Sequence, residues 1–353
     1  MISTAWAKVV WTPVVRRSAA GLFAAALVTA CGGVDASSTG TSSTGTSSAG
    51  ASSSGDQPTR TVAHSYGTTE VPVDPQRIVA TDEYAAMSLL AVGVVPAVVF
   101  TGFGSPIADE LLEEAGAHII DVPPVGAPPS EDVLAQSPDL VVVSDYGDDT
   151  LYRAIGSVTA TVPMPYSAPW KESLSFVADM FDRGSEANRL SAMLDGDIEN
   201  LRDEVAADPT SLSVLMNSSD ILAVAAASAP SSVLAAEVGL TAPVLQTAAS
   251  KEVASGPYLQ LSPELLPSQD ADVVAVFDEG VYSAEKVEAT AGFEDAIGDH
   301  AVTVNGDMWF ANHPFATYWL VRDLRSLVTG NAGDVGSEST ASARYADFVG
   351  ALS

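Results

Sequence analysis

The sequence predicts an α/β protein built as two lobes with mostly parallel sheets, joined by a long α-helix and facing each other across a ligand cleft. Three observations predict it. Short apolar runs alternate with helix-length segments from Arg77 to Ser144 and again from Leu212 to Val328, the order that gives parallel sheets covered on both faces. Between them, the stretch from Pro169 to Ala207 is rich in helix formers and has no internal proline. Finally, Ser130-Glu131-Asp132-Val133-Leu134-Ala135-Gln136-Ser137-Pro138-Asp139-Leu140 and Pro263-Glu264-Leu265-Leu266-Pro267-Ser268-Gln269-Asp270-Ala271-Asp272-Val273 carry one pattern twice. In each copy a glutamate precedes, by eight residues, an aspartate that opens a β-run, as expected of two related lobes.

The elements follow in order. Arg77–Thr81 reads as a strand, Asp82–Val92 as a helix closed by Gly93, and Pro96–Thr101 as a strand. Ser105–Ala115 is a helix capped by its serine and ended by Gly116, followed by a strand over Ala117–Val122, a short helix over Glu131–Gln136 and a strand over Leu140–Ser144. This is a Rossmann-like succession. The segment 169–207 would span on the order of 50 Å as one continuous helix, with Gly184 and Gly196 as its weak points. Alternation then resumes with strands at Leu212–Met216 and Ile221–Ala225, a helix over Pro230–Val238, the second repeat, a strand at Val302–Val304 and a helix over His313–Val328. The expected divisions are 58–168, 169–207 and 208–353.

The amino-terminal end has a different character. Lys8, Arg16 and Arg17 precede an apolar run, Ala19–Ala30, too short for a bilayer, which ends in small residues before Cys31, the only cysteine. Residues 1–30 match the bacterial lipoprotein signal pattern, and this resemblance implies cleavage before Cys31, lipid attachment to its thiol and an extracytoplasmic, membrane-anchored protein. Residues 31–57 are almost entirely Ser, Thr, Gly and Ala after the cysteine, a flexible tether that cannot bury enough apolar surface to order itself. Removal of the signal takes three basic residues and no acid, so the net charge moves from −30 to −33. So acidic a chain excludes nucleic acid as a partner.

The segment His64-Ser65-Tyr66-Gly67-Thr68-Thr69-Glu70-Val71-Pro72-Val73-Asp74-Pro75-Gln76-Arg77-Ile78-Val79, with Leu89-Leu90-Ala91-Val92-Gly93-Val94-Val95-Pro96 and the helix start Pro169-Trp170-Lys171-Glu172-Ser173-Leu174, resembles iron-siderophore substrate-binding lipoproteins of ABC transporters. The resemblance covers essentially all of residues 62–350, and the family also contains haem and cobalamin binders. It implies a monomeric receptor, not an enzyme, that binds a ferric siderophore and delivers it to a permease dimer. It also gives Glu131 and Glu264 a role, since exposed glutamates at these positions on the two lobes would meet arginines of the two permease subunits. A carboxylate at a helix start on each lobe suits a twofold-symmetric partner on physical grounds as well.

Ligands of α/β sheets bind beyond the carboxyl ends of the strands, and reading those ends off the sequence selects Tyr84, Phe103, Tyr146, Asn217, Tyr258 and Trp309, with Trp170 at the start of the connecting helix. Aromatic rings suit a bulky, partly apolar chelate. Trp319 falls inside an amphipathic helix and reads as core. Among basic residues only Arg153, Lys171 and Lys251 fall near the inferred cleft, which favours a neutral or weakly charged hydroxamate or mixed chelate over a polyanionic tricatecholate. His64, His118, His300 and His313 are isolated, so no metal site of the protein's own is expected and no cofactor is implied; iron would arrive inside its chelator. A haem cargo would use an axial His or Tyr, for which Tyr84, Tyr258 and His313 are the candidates. A cell-envelope hydrolase lacks support, since no Gly-x-Ser-x-Gly elbow occurs and no cysteine remains for catalysis.

Overall fold

The first lobe is built on a sheet whose central strands are buried along their length. In the computed structural model, which describes residues 57–123, 127–247 and 257–350, β6 (Leu140–Ser144) is buried at every position, as a parallel strand covered on both faces must be. The signal segment, Cys31, nearly all of the tether and Lys251 lie outside the described residues. An antiparallel hairpin, β1 (Thr59–His64) and β2 (Gly67–Pro72), precedes the lobe. Then come β3 (Ile78–Ala80), α1 (Glu83–Ala91), β4 (Val98–Thr101), α2 (Pro106–Glu114), β5 (His118–Asp121), α3 (Ser130–Ala135), β6, α4 (Thr150–Gly156) and β7 (Thr161–Met164). The five strands lie in the order β5-β4-β3-β6-β7, all parallel. Local chemistry sets the helix starts: the Asp82 carboxylate accepts from the Ala85 N–H and the Ser105 hydroxyl from the Ala108 N–H.

The connecting segment is two helices, not one. α5 (Trp170–Phe181) ends at Asp182, whose backbone is left-handed (φ 57°), and α6 (Gly184–Ala207) starts two residues later. Gly184 opens α6 and Gly196 lies inside it, so only one of the two expected weak points coincides with the break. At 24 residues α6 is about 36 Å long. Its buried positions, Ala187, Leu190, Leu194, Ile198, Leu201 and Val205, recur every three or four residues and form a single stripe.

The second lobe holds β8 (Leu212–Ser218), β9 (Ile221–Ala225), α7 (Pro230–Glu237), β10 (Tyr258–Gln260), β11 (Val273–Asp278), α8 (Ala284–Glu288), α9 (Phe293–Ile297), β12 (Ala301–Asn305), α10 (Gly306–Phe310), α11 (Pro314–Val328) and α12 (Glu338–Gly350). Its sheet has the order β10-β9-β8-β11-β12, in which β8, β11 and β12 are parallel and β9 and β10 are antiparallel additions. β8 and β9 form a hairpin through Ser219 and Asp220, both at positive φ, the two-residue turn whose twist matches that of the strands.

The repeated motif has a structural account. Asp139, at the mouth of β6, accepts from the N–H groups of Gln76 and Arg77 before β3; Asp272, at the mouth of β11, accepts from the N–H and hydroxyl of Ser211 before β8. In each lobe the aspartate ties together the entrances of two adjacent parallel strands. The segments ahead of them differ. Glu131 lies in the first turn of α3, whereas Glu264 lies in a 3-10 helix, Pro263–Gln269, because Pro267 has no N–H for an α-helical bond.

The lobes are also bridged near the carboxyl end. α11 packs on α1, α5, α6, α7 and α10, and α12 returns to lie against α2 of the first lobe. Phe315, Tyr318 and Trp319 of α11 are buried in a core that runs through both lobes. Among the described residues no helix is long and apolar enough to cross a membrane.

Candidate functional site

The carboxyl ends of the first lobe's strands converge on a group of rings. Tyr84 in the first turn of α1, Phe103 after β4, Tyr146 after β6 and Tyr166 after β7 pack at tilted angles, with centroid separations of 4.7 Å for Tyr84–Phe103, 5.2 Å for Tyr84–Tyr166, 4.8 Å for Tyr146–Tyr166 and 6.0 Å for Phe103–Tyr146. Ala311 and Ala316, from the α10–α11 region, close the cluster. His313 caps α11 by accepting from the Ala316 N–H, and its ring centroid lies 6.4 Å from that of Tyr84. The Asn312 amide donates to the carbonyls of Tyr166 and Ala168, and the Tyr166 hydroxyl donates to the Phe310 carbonyl at 3.5 Å. The cluster is therefore built across the junction of the two halves.

The other half contributes Tyr282, Asp307, Phe310 and Asn217. Tyr282 packs on Phe277 at 5.2 Å and Phe310 at 6.1 Å. Two glycines make room there. A Cβ on Gly306 would sit 2.5 Å from the Tyr282 ring, and one on Gly280, whose φ is +60°, would sit 2.5 Å from both Asp307 carboxyl oxygens. Asn217 lies next to the end of β8; its carbonyl accepts from the Ser283 N–H, while its side-chain oxygen is buried without a hydrogen-bond partner.

Two acids complete the site. Glu83 is 1% exposed and Asp307 4%. One Glu83 oxygen accepts from the N–H groups of Phe103 (2.8 Å) and Gly104 (3.2 Å); the other is buried and unpartnered, as is one oxygen of Asp307. Burial, aided by the adjoining Asp82, pushes Glu83 up to about 7. Asp307 rises to about 8, through burial and then the negative charges of Glu83, Glu279, Asp109 and Glu338. The phenols of Tyr84 and Tyr282 are likewise driven up by burial and by surrounding tyrosines and Asp307. Burial lowers His313 to about 3, so its ring is neutral. Neither Glu83 nor Asp307 is ion-paired, and among the described residues no Lys or Arg is bonded to the aromatic cluster.

Of the residues chosen from the sequence, Tyr84, Phe103 and Tyr146 are brought together. Asn217 stands beside Tyr282. Trp170 is half-buried at the start of α5 with the Lys171 ammonium 5.4 Å from its ring centroid, and Lys171 pairs with Asp195. Tyr258 is exposed on the edge strand β10. Arg153 is held in an exposed i,i+4 pair with Asp149 at 2.5 Å. Trp309, expected from its strand end to meet the ligand, instead faces the core: it is 0% exposed and its indole N–H donates to Asp323 at 2.9 Å, because α10 turns that side chain inward. The structure adds Glu83, Tyr166, Tyr282 and Asp307, which strand ends in the sequence do not single out; both acids lie in the first turn of a helix, a common place for a carboxylate. Their signal was their neighbourhood, since Glu83 lies three residues beyond the buried strand β3 and Asp307 stands alone before Met308-Trp309-Phe310.

Glu131 and Glu264 are both exposed, and neither caps its helix, since the cap positions are Pro129 and Ser262 with no side-chain cap bond. The exposed carboxylates are available to a partner.

Residues 78–296 match the profile of the family described as periplasmic binding protein. The chain is 23% identical over 283 residues to a probable siderophore-binding lipoprotein, YfiY, of Bacillus subtilis, an alignment covering 78% of this chain and 80% of that one. Among solved structures, Staphylococcus aureus SirA complexed with staphyloferrin B superposes with a TM-score of 0.63 at 19% identity, covering 76% of this chain and 98% of SirA. The triscatecholate siderophore-binding protein FeuA of Bacillus subtilis, complexed with ferri-bacillibactin, superposes with a TM-score of 0.64 at 16% identity, covering 77% of this chain and 99% of FeuA. At such identities the structural likeness establishes the fold.

Proposed function

The chain belongs to the periplasmic binding protein family, and from that membership we propose that it is an extracytoplasmic receptor that captures a ferric siderophore between its lobes and delivers it to an ABC importer. It performs no bond chemistry. The observation that carries the reading is the ring cluster at the junction of the two halves, where Tyr84, Phe103, Tyr146 and Tyr166 meet the segment around Phe310 and Asn312. A bulky, partly apolar chelate is met by ring faces, and opening of the lobes would expose them to it. The names of its relatives support the cargo class.

In this reading iron enters only as part of the bound chelate. The protein acts as a monomer, anchored through lipid on Cys31, and the exposed Glu131 and Glu264 engage the two subunits of a permease dimer. Titration calorimetry of the purified protein with ferric hydroxamates, ferric catecholates, haem and cobalamin tests it. Saturable binding of one iron chelate is expected, with a Kd between nanomolar and micromolar, about −8 to −12 kcal/mol. Binding of haem or cobalamin alone would replace the cargo, and binding of none would overturn the reading.

A further inference from the structure

We propose that the site selects a ferric chelate carrying a positively charged N–H group, such as a pendant ammonium, and that Glu83 and Asp307 bind that group. The inference rests on the receptor reading above and specifies the charge of its ligand. Three buried acceptors lack donors: one oxygen of Glu83, one of Asp307 and the side-chain oxygen of Asn217. A buried acceptor left without a donor costs free energy, so a ligand that supplies N–H groups gains what the empty site forgoes. Glu83 comes from α1 and Asp307 from α10, near enough that the charge of Glu83 disfavours ionisation of Asp307. A cation placed between them would remove that repulsion.

Among the described residues no Lys or Arg is ion-paired with either acid. Many of the described cations are engaged elsewhere: Arg153 with Asp149, Lys171 with Asp195, Arg202 with Glu237, Lys286 with Asp220, Arg325 with Glu204 and Arg344 with Asp323. The groups facing the two acids are themselves acidic or neutral: Asp82, Asp109, Glu279, Glu338, Tyr84 and Tyr282 around them, and the neutral His313 beside Tyr84. A polyanionic chelate would meet repulsion there, and among the described residues no guanidinium is bonded to the two acids or the ring cluster to offset it. A chain of net charge −30 also draws cations toward itself in the encounter.

The test is a matched pair of ligands with the same iron coordination: ferrioxamine B, a ferric trihydroxamate with a pendant ammonium, and its N-acetylated, uncharged derivative. Calorimetry with the intact protein at pH 8 is expected to show at least ~10-fold tighter binding of the ammonium form. That preference, read as the ratio of the two Kd values within each variant, should fall toward 1 in Glu83→Gln and in Asp307→Asn. Both variants are near-isosteric, and circular dichroism with a thermal melt verifies that each is folded. Equal binding of the two ligands, or a receptor that takes only anionic ferric catecholates, overturns the inference and leaves the receptor reading intact. Failure to bind any iron chelate overturns both.

Discussion

Replacing Asp323 with alanine should cost about 4 kcal/mol of stability, because three donors converge on a carboxylate that has no contact with water. Its oxygens accept from the Trp309 indole N–H at 2.9 Å, the Gly336 backbone N–H at 2.8 Å and the Arg344 guanidinium at 2.6 Å. The Asp323 side chain is 0% exposed and that of Arg344 13%. In Asp323→Ala the two N–H donors are left buried and unpaired, at ~1 to 3 kcal/mol each. The guanidinium loses its counter-charge but keeps the Asp334 carbonyl at 2.8 Å and its place 4.5 Å from the Trp319 ring centroid. Breaking such a buried pair from one side costs ~3 to 5 kcal/mol, and two stranded donors at about 2 kcal/mol each give the same 4 kcal/mol. With a denaturant dependence of about 3 kcal/mol per molar for a chain of this size, the urea midpoint should fall by roughly 1.3 M. Asp323→Ala/Arg344→Ala should cost less than the two single losses added together, since neither group is then left facing an absent partner. A midpoint for Asp323→Ala within about 0.3 M of wild type would refute the argument. So would simple additivity with Arg344→Ala.

Further expectations concern titration and transport. His313 is lowered by burial from 6.5 to about 3, so the unfolded chain takes up a proton that the folded one refuses, and stability is lost as pH falls through 6.5 toward 3, by up to ~1.4 kcal/mol per pH unit. His313→Asn retains a side-chain acceptor at the cap and should flatten the acid limb of a urea-midpoint-versus-pH profile; an unchanged limb would count against this role. Glu83 and Asp307 act in the opposite sense. Each is raised, to about 7 and about 8, so the folded ligand-free state holds protons that the unfolded state has released, and stability declines as pH rises from about 4 to 8. Glu83→Gln/Asp307→Asn should therefore melt higher than wild type at pH 8.5 and show less difference at pH 4, measured by differential scanning calorimetry. For transport, Glu131→Ala/Glu264→Ala should abolish uptake of the radiolabelled iron chelate by cells while leaving calorimetric affinity within about twofold; normal uptake by a stably expressed double variant would remove both glutamates from docking.

Much of the architecture was legible because it depends on neighbours in the chain. Asp82 and Ser105 cap the helices that follow them, Gly116 takes the positive φ that ends α2, and the unbroken apolar run of β6 needs no partner to declare itself a buried strand. The duplicated Glu and Asp spacing marked two related lobes, and the aspartates tie strand entrances in both. Tyr84, Phe103 and Tyr146 were recoverable because the carboxyl ends of parallel strands always gather at one edge. The break between α5 and α6 was less so, since Asp182 adopts a left-handed backbone more often given to glycine.

What the chain by itself determined was its α/β order, its helix boundaries and the strand ends from which a site could be made. Only the tertiary structure decided that Trp309 turns inward to Asp323, that Tyr166 and Tyr282 join the cluster, and that Glu83 and Asp307 lose their solvent. The reason is physical: a first-turn carboxylate looks the same in sequence whether it faces water or another lobe. Its charge state and its appetite for a ligand donor are set by what long-range packing places in front of it.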